Sequence, residues 1–306
     1  MSASSPVVDV HAHLSETKAL GAWSKDAYEI WEYGEWDVAL STAAGDLDDL
    51  RASMRAGGID HAVVVNAFSV GEWVERARLG LELPDRTSLS LGEHLIAFNR
   101  WLVHAVADIP EITPFVAADP WALPFDALAS HLEAMRDAGA RGVKLHPVGQ
   151  AFLVSEPRLL RVLRACAELG LTVLSHSGPD REGAGFAEPS AFADVAREVP
   201  DLRLVVAHLG GASWRHVASL AEAFPAIAFD VSEIVEWTGA PNAPTADELV
   251  AIIRAIGVDR VMFGSDFPWY EPGETVKRVR TLPGLSDGEA RAILGSNAVR
   301  ILSLDV

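Results

Sequence analysis

An α/β fold of eight parallel strands alternating with helices is what the sequence predicts, and three observations carry that prediction. Short Val-, Ile- and Leu-rich runs recur eight times, amphipathic stretches of helical period lie between them, and capping residues or glycines bound those stretches. The runs begin near Val7, His61, Thr113, Gly142, Leu171, Arg203, Ile227 and Arg260, at spacings of 54, 52, 29, 29, 32, 24 and 33 residues. The last six share a βα period of roughly 30 residues. The first two intervals are longer, which predicts insertions after strands 1 and 2.

Taken in order, the run VVDV leads into His11 and His13, and residues 16–45 then hold Trp23, Trp31, Trp36, Tyr28 and Tyr33. Aromatics this dense form either a lid over a pocket or a helical insertion packed on the rim. Capping boxes at Ser90 to Glu93, Thr245 to Glu248 and Ser286 to Glu289 predict helix starts, because each pair satisfies backbone N–H groups that no helical carbonyl reaches. The stretches FDALASHLEAMRDAG and RLLRVLRACAELG end in Gly139 and Gly170, as helices that close on a left-handed residue do. A closed barrel and an open doubly wound sheet both fit this rhythm. Polar residues at the ends of many strands, facing one mouth, favour the barrel. With no repeat beyond the βα rhythm, residues 1–306 read as a single domain.

Composition narrows the partners. There are 25 Lys plus Arg against 43 Asp plus Glu, a formal charge of −18, and no basic block. Nucleic acid and anionic membrane surfaces are therefore not expected as partners. Cys166 is the single cysteine, which excludes an intrachain disulfide or a thiolate metal cluster and suggests a reducing, cytoplasmic setting. No signal peptide is evident, and no window has the roughly 18 apolar residues of a membrane span.

Five of the ten histidines stand at or just after strand ends: His11, His13, His146, His176 and His208. Asp266 ends the eighth run. Any one of these alone is an ordinary hydrogen-bonded structural residue, but their joint placement points to a metal. His11 and His13 are two apart, so in extended chain both point to one face, and by the same parity Asp9 joins them. Imidazole and carboxylate donors suit zinc, which lowers the pKa of a bound water to about 7.

These residues resemble the amidohydrolase superfamily, in particular its amidohydrolase-2 branch of aminocarboxymuconate semialdehyde decarboxylase-like enzymes. The resemblance rests on D-V-H-A-H (Asp9 to His13), G-V-K-L-H-P (Gly142 to Pro147), L-S-H-S-G (Leu174 to Gly178), A-H-L-G-G (Ala207 to Gly211), G-S-D-F-P (Gly264 to Pro268) and S-N-A-V-R-I-L (Ser296 to Leu302). It implies a (β/α)8 TIM barrel. It further implies one divalent metal, zinc with manganese as the alternative, held by His11, His13, His176 and Asp266. His208 would act on water or substrate, and Asp266 would double as general base. In two-metal members the strand-4 lysine is carbamylated; here the expectation is an uncarbamylated Lys144 facing substrate with His146 and Trp269.

Other side chains read more plainly. Glu233 and Glu236 read as solvated loop carboxylates, with contact to substrate or support of the site residues as the alternative, Trp121 and Trp237 as pocket walls or loop packing, and His61, His94, His104, His131 and His216 as structural residues. An acidic substrate would need a cation from among Arg76, Arg78, Arg86, Lys144, Arg181 and Arg215. The function expected is metal-dependent hydrolysis of an amide, lactone or ester of a small molecule. The alternatives are non-oxidative decarboxylation of an aromatic or unsaturated acid and a non-catalytic metal-binding barrel. Pairing through exposed helices or the insertion would give a homodimer.

Overall fold

The computed structural model describes residues 5–28, 30–81 and 88–306, so Arg86 lies outside the described residues. In chain order the elements are β1 (Val8–Ala12), α1 (Lys18–Ala27), α2 (Leu47–Gly57), β2 (His61–Val65), α3 (Val70–Arg78), α4 (Leu91–Val106), β3 (Ile112–Ala117) and α5 (Phe125–Asp137). Then come β4 (Gly142–Leu145), a single turn α6 (Pro147–Gln150), α7 (Pro157–Leu169), β5 (Thr172–Ser175), α8 (Pro189–Glu198), β6 (Leu204–Val206) and α9 (Val217–Ala223). The chain ends with β7 (Ala228–Asp230), α10 (Ala246–Ile256), β8 (Val261–Met262), α11 (Pro272–Thr281), α12 (Asp287–Arg291) and α13 (Asn297–Leu302). Each of the eight strands overlaps one of the eight apolar runs, and both long intervals carry an extra helix.

Neighbouring strands pair in parallel in the order β1 to β8. Closure comes from the segment after β8. Val10 N donates to Phe263 O, Asp266 N to His11 O at 2.7 Å, and Ala12 bridges Phe267 in parallel. The fold is thus a (β/α)8 barrel.

Alternate strand residues, among them Val8, Val10, Val63, Val65, Phe115, Leu174, Val205 and Met262, form one apolar cluster that Ala298 and Leu302 of α13 plug. The opposite strand faces pack against the surrounding helices in a larger cluster. This two-sided burial explains why the strands read as continuous apolar runs. All three capping boxes form. No helix among the described residues is long and apolar enough to cross a membrane.

Strict alternation fails once. The β1–β2 register shifts between Asp9 and Ala12, so Asp9 does not share the cavity face with the two histidines. Its carboxylate instead accepts from His11 N, Ser265 N and Ser265 Oγ, joining β1 to the chain after β8. Burial raises its pKa to about 7 against the pull of those donors.

Asn99 of α4 fastens helix to sheet: its Nδ2 donates to Ala117 O, and its Oδ1 accepts from Ala117 N, both at 2.9 Å. Both groups are shielded from water, so removing the amide strands two backbone partners. Asn99→Leu is expected to lower stability by about 2–4 kcal/mol, measured by urea denaturation.

Candidate active site

A cavity of about 490 Å³ opens at the C-terminal ends of the strands. Its floor carries His11, His13, Lys144, His146, His176, His208, Glu233 and Asp266, and its walls include Trp23, Tyr28, Phe98 and Trp269. The barrel therefore brings together every strand-end histidine, Asp266 and Lys144. Trp23 and Tyr28 come from the aromatic insertion, whereas Tyr33 packs away from the cavity, stacked on Trp237 at 5.2 Å.

Three donor atoms converge most closely. His13 Nε2 lies 3.1 Å and His11 Nε2 3.4 Å from Asp266 Oδ1. Lys144 Nζ stands 2.7 Å from His11 Nε2. Three triads have ligand atoms within 4.8 Å of one another: His11–His13–Asp266, His208–Glu233–Asp266 and His11–His208–Asp230. In the last, Ser232 Oγ sits 3.0 Å from His11 Nδ1 and 2.9 Å from His208 Nδ1. That triad is a hydrogen-bond centre. His176 enters none of the three; its ring lies flat on His146 at 4.0 Å and edge-on to His208 at 4.9 Å.

The electrostatics follow from burial. Burial first, and then the neighbouring Lys144 charge, lowers His11 and His146 to about 3. Burial likewise lowers His13, His176 and His208. Neutral imidazoles keep a lone pair, the form a metal needs. Burial brings Lys144 down to about 8 although Asp266, Asp230 and Glu233 favour its charge. Burial alone would raise Asp266 and Asp230, but the imidazoles around them hold both below the usual carboxylate range.

Three site residues occupy the left-handed backbone region that glycine prefers: His208 at φ 58°, Glu233 at 61° and Asp266 at 59°. Such conformations cost roughly 1–3 kcal/mol each and cluster at functional sites.

Several expectations need correction. Glu233 and Glu236 are buried, each 4% exposed. Glu233 accepts from Tyr28 Oη at 2.8 Å and lies 3.6 Å from His208 Nδ1, while Glu236 pairs with Arg278 outside the cavity. Trp121 is exposed and stacks on Phe152, and Trp237 donates to Tyr270 Oη, so neither lines the cavity. Of the cations considered, only Arg76 and Lys144 line it among the described residues, and Arg76 is paired with Glu16 at 3.2 Å. Sequence reasoning missed Asp230 and Ser232, whereas Tyr28 was among the insertion aromatics read as a lid or rim packing. Asp230 was findable, since it is a polar residue at the end of a strand. Ser232 lies in the loop that follows β7, whose path no period encodes.

Gly264 leaves room for this packing: a Cβ there would lie 2.7 Å from His11 Cβ and 3.1 Å from Ser232 Cβ. Gly264→Ala should cost about 1–3 kcal/mol in thermal denaturation through overpacking, and it should displace the His11 ring in a crystal structure.

Comparisons with known proteins give the family and the fold. The family described as Amidohydrolase matches residues 8–304. An uncharacterized protein of Sinorhizobium fredii (strain NBRC 101917 / NGR234) is 28% identical over 159 residues, 47% of this chain and 51% of that protein. The alignment thus spans about half the length of that relative. Among solved structures, 5-carboxyvanillate decarboxylase from Sphingomonas paucimobilis superposes with a TM-score of 0.68 at 15% identity, covering 99% of this chain and 100% of that one. A proposed 2-pyrone-4,6-dicarboxylic acid hydrolase from Pseudomonas putida gives 0.64 at 21% identity, covering 98% of each chain. The 2,6-dihydroxybenzoate decarboxylase from Rhizobium gives 0.66 at 16% identity, covering 99% and 100%. Similarities at such identities establish the fold.

Proposed function

The chain belongs to the amidohydrolase family, and from that premise we propose that it is a metal-dependent hydrolase acting on an amide, lactone or ester of a small organic molecule. The observation that carries this reading is the convergence of His11 Nε2, His13 Nε2 and Asp266 Oδ1 on the floor of the cavity. Neutral imidazoles and an ionised carboxylate are the donor chemistry of a zinc site, with manganese the alternative. His11, His13 and Asp266 would hold one divalent ion, joined by His176 from the adjoining wall. The ion would supply Lewis acidity that polarises the scissile carbonyl.

The remaining steps fall to the chain's own residues. Asp266, held ionised, takes a proton from the attacking water and returns it to the leaving group. His208 faces the same point and balances the charge that develops on the carbonyl oxygen. Lys144 and His146 contact substrate, and Lys144 Nζ stands 2.7 Å from the His11 nitrogen that would hold the ion. Trp269, edge-on to His13 at 5.2 Å and 4.9 Å from Tyr28, forms an aromatic wall for an apolar substrate body.

Decarboxylation is the second reading. The aromatic wall of Trp23, Tyr28 and Trp269 and the fold shared with two aromatic-acid decarboxylases favour it. There the proton for the carbon that loses CO2 would come from water, directly or passed on by Asp266, which is ionised at rest.

Plasma mass spectrometry on protein purified without a chelating tag should find about one zinc or manganese per chain, as an open catalytic site requires, and His11→Ala should lose it. Absence of bound metal after reconstitution would sink the metal mechanism. Incubation in 18O-water with panels of lactones, esters, amides and aromatic acids separates the chemistries: label enters a hydrolysis product, whereas decarboxylation releases CO2. With a substrate in hand, Asp266→Asn that retains metal should lower kcat by about 10²–10⁴-fold.

A further inference from the structure

Asp230 ends β7 beneath the cavity floor, and its two oxygens have different surroundings. Oδ1 accepts three hydrogen bonds, from His208 N at 3.0 Å, Ser232 N at 3.0 Å and Ser232 Oγ. Oδ2 faces His11 Nδ1 at 3.1 Å. With three donors committed to Oδ1 the carboxylate stays ionised and can only accept, and Lys144 Nζ donates to Nε2 from the other side at 2.7 Å, so the ring proton of His11 resides on Nδ1. The same reasoning applies to His208, whose Nδ1 lies 3.2 Å from the Ser232 carbonyl oxygen, another group that can only accept. Ser232 Oγ spends its proton on Asp230 and offers lone pairs to both Nδ1–H groups, consistent with each assignment.

We infer that Asp230, locked by its three donors, is a positioning residue that fixes the tautomer of His11, with Ser232 extending that control to His208. Both rings then present an unprotonated Nε2 to the cavity. For His11 that lone pair is the one facing Asp266 and Lys144. One buried carboxylate thereby sets the orientation of the ion-holding imidazole and of the imidazole that works on substrate. Partners of this kind outside the ligand set typically change metal affinity 10- to 100-fold when lost. The metal consequence rests on the proposed function, whereas the tautomer itself does not.

Asp230→Asn makes the inference sharp. The three donors at Oδ1 still demand an oxygen there, so the amide nitrogen takes the place of Oδ2 and points its N–H groups at His11 Nδ1. Nδ1 then accepts and the ring proton moves to Nε2, with Lys144 Nζ 2.7 Å away giving up a proton to solvent and facing it as the neutral amine, which removes the lone pair aimed into the cavity. The experiment is long-range 1H–15N NMR on metal-free, histidine-labelled protein, together with zinc affinity measured against a chromophoric chelator. In the wild type, His11 and His208 should be protonated on Nδ1. In Asp230→Asn, His11 should be protonated on Nε2, and zinc affinity should fall about 10- to 100-fold or more. Protonation of His11 on Nε2 in the wild type would overturn the inference. So would an Asp230→Asn protein that keeps the Nδ1 proton, whatever its zinc affinity, because the loss would then come from displacement. Should that variant not fold, the wild-type spectrum decides alone. A wild type with the expected tautomers that binds no zinc would defeat the metal reading and leave the positioning role standing.

Discussion

Everything at the cavity floor depends on how the barrel closes between its last strand and its first. β8 has only two residues in regular pairing, and the chain beyond it does the closing through Val10 N to Phe263 O, Asp266 N to His11 O and the Ala12–Phe267 bridge. These bonds place the left-handed Asp266 directly against the strand that carries His11 and His13. The carboxylate and the two imidazoles are thus brought together by backbone pairing rather than by side-chain attraction. The buried Asp9, accepting from Ser265 on the same seam, ties the junction again one turn deeper.

Such a seam gathers charge where folding alone would avoid it. Asp230, Glu233, Asp266 and Lys144 are all nearly inaccessible, and each ionised group there loses several kcal/mol of hydration unless it is paired. The network answers this cost unevenly. Asp230 is fully supplied with donors, Asp266 has two imidazole partners, and Glu233 relies on Tyr28, so burial leaves its carboxyl well above the usual range. Left-handed backbone at His208, Glu233 and Asp266 adds strain at the same place. Buried charge and strained backbone concentrated at one end of an otherwise regular barrel are what a site maintained for chemistry costs in stability.

The fold was legible because its signals are local. Eight apolar runs, three capping boxes and the helix-ending glycines each encode an element within a few residues, and every one appears. The floor was legible for a related reason: strand ends converge in a barrel, so His11, His13, His146, His176, His208 and Asp266 could be read from position along the chain. What escaped depended on geometry that crosses elements. A register shift at Asp9 broke the parity rule, and the left-handed turn at Glu233 swung a loop carboxylate inward. The stack of His176 on His146 follows from ring packing between β4 and β5, which strand spacing does not encode.

The aromatic insertion shows how a segment without periodicity is nevertheless held to the barrel. Tyr33 is fully buried against Trp237 and Tyr270, Lys25 Nζ donates to the carbonyls of Ser41 and Ala43, and Thr17 caps α1. Between those anchors the chain presents Tyr28 to Glu233 and to Trp269. The two readings of the insertion, lid and rim packing, are therefore not exclusive. Residues packed on the rim fix the position of residues that wall the cavity, so the aromatic density encodes attachment at Tyr33 and enclosure at Trp23 and Tyr28. Such walls matter electrostatically, because interactions among Asp266, His208 and the other polar groups of the floor are stronger where less water reaches them.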